Sequence, residues 1–191
     1  MVEPEEIEGM VDALRAVTHE ELVKLVQELA YTREEDIPDE EEITKLLEKA
    51  VSEHLLETIS SEELSEVDAK DSEDVHYYIV GPHAFPDFPF DLSEVIDILK
   101  LDRREIDPHK LTQRFSRRLK ARITKLRHNI ETFAKGEDDS IDVPVLEHRY
   151  SDLLNLYYDY DSWLEGEITE METEILDISK QIDALGTAQD I

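Results

Sequence analysis

The side chains best suited to bind a partner are the Lys and Arg residues clustered between positions 108 and 128. Arg offers two parallel N–H donors that match a phosphate or a carboxylate, and Lys supplies a mobile point charge. We therefore expect this segment to contact phosphate groups or an acidic protein. The candidate partner-binding residues are Lys110, Arg114, Arg117, Arg118, Arg122 and Lys125.

A helix must position these cations. Apolar residues recur every three or four positions from Leu111 to Phe133, which predicts one amphipathic helix with a continuous apolar stripe. Lys110, Arg114 and Arg117 point directly away from that stripe on a helical wheel, and the other cations flank it. Two interpretations stay open: the flanking cations pair with glutamates of the last helix, or the basic face binds an external partner.

Charge is segregated along the chain. Residues 1–99 carry 6 basic and 29 acidic side chains, residues 100–135 carry 12 and 4, and residues 136–191 carry 2 and 16. The net charges of these parts, −23, +8 and −14, together give the −29 of the whole chain. Because the acids are spread over every predicted helix, we expect a solvated acidic surface of the kind that suits molar salt.

The sequence lacks the spacings of His, Cys and Gly that metal sites and phosphate-binding loops require. The seven His residues include no i,i+4 pair, there is no Cys, and the five Gly residues are too dispersed to form a phosphate-binding loop. We therefore predict no catalytic residues, no metal ligands and no cofactor, and expect that the protein is not an enzyme.

The N-terminal part reads as three helices and two strands. Apolar periodicity predicts helices over residues 4–17 and 18–30 and a third from about residue 37, and strands over 55–59 and 75–80. Thr18 and Glu21 form a capping box that starts the second helix. This order is that of a winged helix-turn-helix unit.

Direct DNA binding by this unit is disfavoured. Its third helix opens with Asp39 and three Glu residues, and its only cations are Lys45 and Lys49. A helix that enters the major groove needs cations for phosphates and Arg, Lys, Asn or Gln for bases. The strands also flank a polar, acidic insert at residues 60–74, where a wing would contact phosphate.

A proline-rich stretch follows the second strand. Its prolines, Pro82, Pro86 and Pro89, exclude a regular helix and predict a linker, whose Phe residues we expect to pin it to a neighbouring surface. Asp91 should cap a short helix that reaches Leu99. The predicted domains are a winged-helix-like domain over 1–80, a linker with a short helix over 81–107, and a helical hairpin with a heptad tail over 108–191.

The C-terminal part is predicted to be an antiparallel helical hairpin, which makes the chain mainly α. A polar turn at 136–140 precedes a last helix that begins near Pro144. The apolar spacing slips by one residue near Gly166, which indicates either a small stutter or a break. Beyond it the spacing alternates between three and four, as in a coiled coil. We expect this seam to be uncovered and able to join two copies or another protein: Ile168, Met171, Ile175, Ile178, Ile182 and Leu185.

Three stretches carry a resemblance to a known group of proteins: Val80 to Pro86, Ile98 to Asp107, and Leu153 to Asp159 with Trp163. In these the chain resembles a family of small, acidic, uncharacterised proteins from haloarchaea, over roughly residues 7–165, with the heptad tail as an extension. The resemblance implies a halophilic archaeal cytoplasm and brings no activity or site residues.

Two functional hypotheses follow. The first is a non-enzymatic interaction or scaffold protein with a protein partner. The alternative is a transcription regulator or other nucleic-acid-associated protein that contacts phosphate through the basic helix 108–128. No apolar run approaches the ~20 residues of a membrane helix, so we expect a cytoplasmic protein without a membrane partner.

Overall fold

A computed structural model describes residues 2–65, 75–137 and 140–189. The described chain is mainly helical with a small antiparallel sheet, and it divides into two compact units, Met1–Leu111 and Thr112–Ile191. Its elements are α1 (Pro4–Leu14), β1 (Val17–Thr18), α2 (His19–Thr32), α3 (Glu40–Ser52), β2 (Leu56–Ser60), β3 (His76–Val80), α4 (Leu92–Leu99), α5 (Pro108–Lys135), α6 (Val143–Trp163) and α7 (Glu172–Gln189).

The starts of the N-terminal helices follow from their capping residues. The Thr18–Glu21 capping box is confirmed: Glu21 N–H donates to Thr18 Oγ1 at 3.3 Å, and Thr18 N–H donates to Glu21 Oε2 at 2.9 Å. Asp39 and Glu42 form the same box at the start of α3. The first helix is shorter than predicted, because Arg15 has a φ of 68° and ends it, so Val17 lies in a strand instead.

The sheet has the order β1-β3-β2, and both strand pairs are antiparallel. The two predicted strands are confirmed to within one residue. The strand β1 was missed because only two residues, Val17 and Thr18, pair with Tyr78 and Tyr77. A two-residue strand leaves no alternation that a sequence pattern could reveal.

The core of the first unit lies between the helices and the sheet. Its members come from the apolar faces of α1, α2, α3 and α4, with Leu56 from β2. Fully buried residues at its centre are Met10, Leu22, Leu25, Leu29, Ile43 and Leu47.

Residues 81–107, predicted as a Pro/Phe linker with a short helix, lie within the first compact unit, Met1–Leu111. Arg104 Nη2 lies 2.8 Å from Glu21 Oε1, and Arg104 N–H donates to Leu14 O at 3.0 Å. Asp91 precedes α4, but its side chain makes no capping hydrogen bond there.

The polar insert is described only in its first part. Residues Ser61–Glu63 form a 3₁₀ turn, and Leu64 bridges to Ile106. The rest of the predicted insert, residues 66–74, lies outside the described residues.

The second unit contains α6, α7 and most of α5. Phe115 near the start of α5 packs against Tyr160 near the end of α6, with ring centroids 5.0 Å apart, as expected for an antiparallel hairpin. Of the two alternatives at Gly166, a stutter or a break, the structure has the break, because Glu165 and Gly166 have φ angles of 56° and 82° and end the helix there. The chain then folds back, so that Gly186 of α7 lies beside Val143 of α6.

This reversal buries the predicted heptad seam. Ile168, Met171, Ile175, Ile178 and Ile182 are each at most 2% exposed within the chain's own helices, and Leu185 is half-buried. The expectation of an uncovered seam is therefore wrong.

None of the helices within residues 2–65, 75–137 and 140–189 combines the length and apolar character that crossing a bilayer requires.

Candidate functional site

The predicted partner-binding cations fall into both units. Lys110 belongs to the first unit, where its Nζ lies 3.5 Å from Leu64 O. The other five lie on α5 within the second unit: Arg114, Arg117, Arg118, Arg122 and Lys125.

Some of the basic face is neutralised internally. Arg127 Nη1 lies 3.6 Å from Glu174 Oε2, which is one of the pairings anticipated with the last helix. Arg114 and Arg118 also have interaction partners. Arg117 uses its Nε to donate to the Gln113 carbonyl at 3.3 Å.

Arg122 and Lys125 are exposed and, unlike the other predicted cations, line a groove between α5 and α6. The groove has a volume of about 520 Å³. A third cation, Arg149 of α6, lines it from the other side. We call this the cationic groove, and its lining comprises Arg122, Lys125, Leu126, Asn129, Ile141, Arg149, Asp152 and Leu153.

Sequence reasoning missed Arg149 as a site residue. It lies outside the basic segment, in the part of the chain where residues 136–191 hold only 2 cations against 16 acids. The available signal was that Arg149 is one of only two cations in this acidic stretch, although the sequence alone does not show which residues surround it. Its proximity to Arg122 depends on the antiparallel pairing of α5 with α6.

A second exposed feature lies in the first unit. Phe85, Phe88 and Phe90 expose 82%, 54% and 95% of their surface. We call residues 81–90 the Pro/Phe segment. The prediction that its phenylalanines pin it to a neighbouring surface is therefore wrong.

Backbone contacts hold the Pro/Phe segment in place instead. Asp87 N–H donates to Glu5 O at 2.9 Å, and Phe85 N–H donates to Glu8 Oε2 at 2.7 Å. Gly9 allows the approach, because a Cβ there would lie 2.0 Å from Asp87 O. The segment is thus fixed against α1 while its rings face outward.

The Glu8 carboxylate that anchors this segment is buried. Burial raises the pKa of Glu8 above its ordinary value, and the hydrogen bond from the Phe85 N–H opposes that shift. Burial therefore disfavours the charged form of Glu8, and the hydrogen bond that it accepts from the Phe85 N–H explains why a carboxylate lies there.

A His–Glu pair with a buried carboxylate is the feature closest to catalytic chemistry. His54 Nδ1 lies 2.6 Å from Glu57 Oε1, and Glu57 is fully buried in β2. His54 has a φ of 59° and its carbonyl accepts from the His83 N–H at 3.1 Å. These contacts join the turn before β2 to the segment after β3, which is a structural role. In the part of the chain that the structure describes, no three His, Asp or Glu side chains come together in a way that could hold a metal ion.

Comparison with family models gives one match. Residues 5–180 match a family described as a family of unknown function, DUF7109. The match extends past residue 168, so most of the predicted tail lies within the family region. No curated protein and no solved structure matches the chain.

Proposed function

We propose that this chain, a member of the DUF7109 family of unknown function, is a non-enzymatic protein-interaction adaptor from the cytoplasm of a halophilic archaeon. The observation that carries the proposal is the set of three exposed phenylalanines on the Pro/Phe segment. Exposed apolar clusters of this kind mark interaction sites, because water disfavours them unless a partner covers them.

The anchoring of the segment supports a recognition role. Its backbone is fixed by hydrogen bonds to Glu5 and Glu8 of α1, so little backbone freedom would be lost when a partner binds. The rings themselves are left free to contact a partner. Aromatic side chains are the usual centres of binding energy at interfaces.

The chemistry of the partner follows from the charges around the rings. Asp87 lies between Phe85 and Phe88, Asp91 follows Phe90, and Glu94 is exposed on α4. The complementary surface is an apolar protein segment flanked by Lys or Arg. In molar salt the apolar contacts dominate this recognition, because the charges are screened.

A winged-helix-like reading of the first unit is compatible with this role. Its element order α1-β1-α2-α3-β2-β3 and its sheet order β1-β3-β2 support that reading. Both lysines of α3 lie beside glutamates, Lys45 with Glu41 at 2.7 Å and Lys49 with Glu53 at 3.9 Å. That helix presents carboxylates where a DNA reader presents cations, which favours a protein partner.

The test is a pull-down from nuclease-treated native lysate in molar KCl, followed by affinity measurement with the purified partner. The wild type is compared with a triple variant, Phe85→Ser, Phe88→Ser and Phe90→Ser. The control variant carries Tyr158→Ser and Leu176→Ser, which removes exposed apolar side chains from the second unit. We expect one stoichiometric partner that the wild type and the control retain and the triple variant loses.

Two results would contradict the proposal. One is a partner whose affinity is unchanged in the triple variant. The other is light scattering that shows a wild-type dimer and a monomeric triple variant, because the phenylalanines would then join two copies.

Nucleic-acid association through residues 108–128 is the second candidate, favoured by the exposure of Arg117, Lys120, Arg122 and Lys125. It predicts duplex binding whose affinity falls steeply with salt. Replacing Arg117, Lys120 and Lys125 with Glu should then abolish binding at near-physiological salt. An unchanged affinity removes this candidate.

A further inference from the structure

The cationic groove of the second unit combines three converging cations with an apolar floor. Arg122 and Lys125 come from α5, one helical turn apart, and Arg149 comes from α6. Within residues 2–65, 75–137 and 140–189, none of these three side chains makes an ion pair or a hydrogen bond. Like charges brought together in this way repel one another, and a bound anion would relieve that repulsion.

The residues beneath the cations restrict what the anion can be. Leu126, Ile141 and Leu153 line the groove and are 4%, 7% and 4% exposed. The protein already covers most of their surface, so they form an apolar base that offers a ligand ring a narrow contact. The volume of about 520 Å³ falls within the range of roughly 300–1,000 Å³ that small-molecule sites occupy.

Two further polar groups face the groove. Asn129 of α5 offers an amide that both donates and accepts hydrogen bonds, and Asp152 of α6 offers a carboxylate whose Oδ2 lies 3.6 Å from His148 Nε2. A carboxylate repels phosphate but accepts hydrogen bonds from hydroxyl or amino groups. Its presence beside three cations therefore indicates a ligand with both an anionic end and a hydrogen-bond-donating body.

We propose that this groove binds a small organic phosphate of the nucleoside phosphate class, with its phosphate on Arg122, Lys125 and Arg149 and its ring on Leu126 and Leu153. Asn129 and Asp152 contact the ring and sugar donors. Arg forks hold phosphate through short, directional contacts, so the site operates even where molar salt screens long-range attraction. The proposal does not depend on the adaptor function, since it involves none of the exposed phenylalanines.

A nucleic-acid strand is a poorer occupant than a small molecule. The stretch 136–191, which supplies one wall, carries a net −14 and would repel phosphates that continue past the groove.

The test is binding of adenosine 5′-diphosphate to the full chain in molar KCl, followed by calorimetry and by chemical-shift changes in the NMR spectrum. Inorganic phosphate, adenosine and a short single-stranded oligonucleotide serve as comparison probes. We expect ADP to bind more tightly than either fragment and to shift the resonances of groove residues. Arg149→Gln should weaken ADP binding by about tenfold or more, because it removes one charge-assisted phosphate contact.

Lys120→Gln is the matched control. Lys120 lies on the same helix, is exposed, and does not line the groove. Its substitution should change ADP affinity less than about twofold. Neither variant should lower the unfolding midpoint, because both side chains are exposed.

Each other outcome overturns the proposal. Absence of binding at millimolar ADP shows that the groove takes no nucleoside phosphate. Phosphate that binds as tightly as ADP shows a plain anion site. An oligonucleotide that binds far more tightly than ADP points to a nucleic-acid surface, and equal losses from Lys120→Gln and Arg149→Gln indicate non-specific attraction.

Discussion

At the scale of single residues, the first unit depends on a few carboxylates that have been taken partly out of water. Glu21 accepts from both Arg104 guanidinium nitrogens, at 2.9 and 2.8 Å. Burial raises the pKa of Glu21, but the hydrogen bonds from Arg104 and Thr18 outweigh it, and the pKa lies below its ordinary value. Arg33 likewise lowers the pKa of Glu6. These pairs connect α2 to the segment before α5 and to α1.

Glu21→Gln should reduce the free energy of unfolding at neutral pH by about 2 kcal/mol, because it removes a charge-assisted pair. The folded pKa is depressed, so the stabilisation is fully present above the unfolded pKa and is lost as the pH falls through the folded pKa. The difference between variant and wild type should therefore shrink below about pH 4.5. Urea unfolding at several pH values measures it.

The neighbouring Glu20 is the control for this prediction. It pairs with Lys24 at 2.6 Å, but its side chain is 78% exposed. Glu20→Gln should change stability little at any pH. A Glu21→Gln variant whose deficit is the same at pH 7 and in acid would contradict the assignment.

Glu8→Gln should raise the free energy of unfolding, which is the opposite of the effect expected for Glu21→Gln. The raised pKa of Glu8 means that the folded state favours its neutral form, so its charge opposes folding at neutral pH. Gln keeps an acceptor for the Phe85 N–H and removes that charge, and we expect a gain of up to about 1 kcal/mol. Glu34→Gln, a change of the same charge at an exposed site of the first unit, separates this effect from general relief of repulsion. Equal gains from both variants would show that burial of Glu8 is not the cause.

At the scale of elements, the Pro/Phe segment shows that a loop can be held by its backbone while its apolar side chains stay outside. Gly9 is the residue of α1 that makes this possible. An expectation based on hydrophobicity alone places phenyl rings inward. Instead, the backbone N–H groups of Phe85 and Asp87 donate hydrogen bonds to acceptors on α1, which fixes the backbone and leaves the rings in solvent.

Gly9→Ala should therefore destabilise the first unit by about 2 kcal/mol, although Ala is the better helix former by about 1 kcal/mol. The new Cβ would overlap Asp87 O at 2.0 Å and displace the segment. Gly186→Ala in α7 is the control, since its Cβ would meet nothing nearer than Val143 Cγ1 at 3.8 Å. Thermal unfolding should show a loss for the first variant and none for the second.

The heptad seam shows that one turn decides whether an apolar stripe is exposed or buried. Because the seam packs inside the second unit, Ile178→Ala should cost about 3 kcal/mol of stability. Leu176→Ala, at a side chain 43% exposed, should cost much less. Urea unfolding compares the two, and an Ile178→Ala variant as stable as Leu176→Ala would show that the seam is not buried in solution.

At the scale of the whole molecule, the net charge of −29 makes salt a determinant of stability. The Debye length falls from about 10 Å at 0.1 M to about 3 Å at 1 M, so repulsion between the carboxylates weakens as salt is added. We expect the thermal midpoint to rise continuously from dilute buffer to molar KCl.

Sucrose distinguishes screening from a general solute effect, since it stabilises by exclusion from the surface and screens no charge. Full recovery of the midpoint by sucrose in dilute buffer would contradict the electrostatic explanation. A midpoint that does not respond to KCl would do the same.

The sequence alone was enough to locate the helices, the two longer strands, the Thr18 cap and the basic face of α5. These features depend on local periodicity and on side chains within four residues of one another, and both can be read directly from the sequence. It also showed the segregation of charge, since that requires only counting. The short strand β1, with two paired residues, had too little pattern to be seen.

Tertiary structure decided which of these surfaces remain available. Two left-handed residues, Glu165 and Gly166, turned a seam that looked open into core, and hydrogen bonds from Phe85 and Asp87 to α1 left the phenylalanines exposed. The pairing of α5 with α6 brought Arg149 to Arg122 and Lys125. Whether a side chain is exposed, and which side chains come together, depends on the elements that pack against one another. Small changes of backbone direction decide that packing, whereas sequence periodicity describes only the faces of one element.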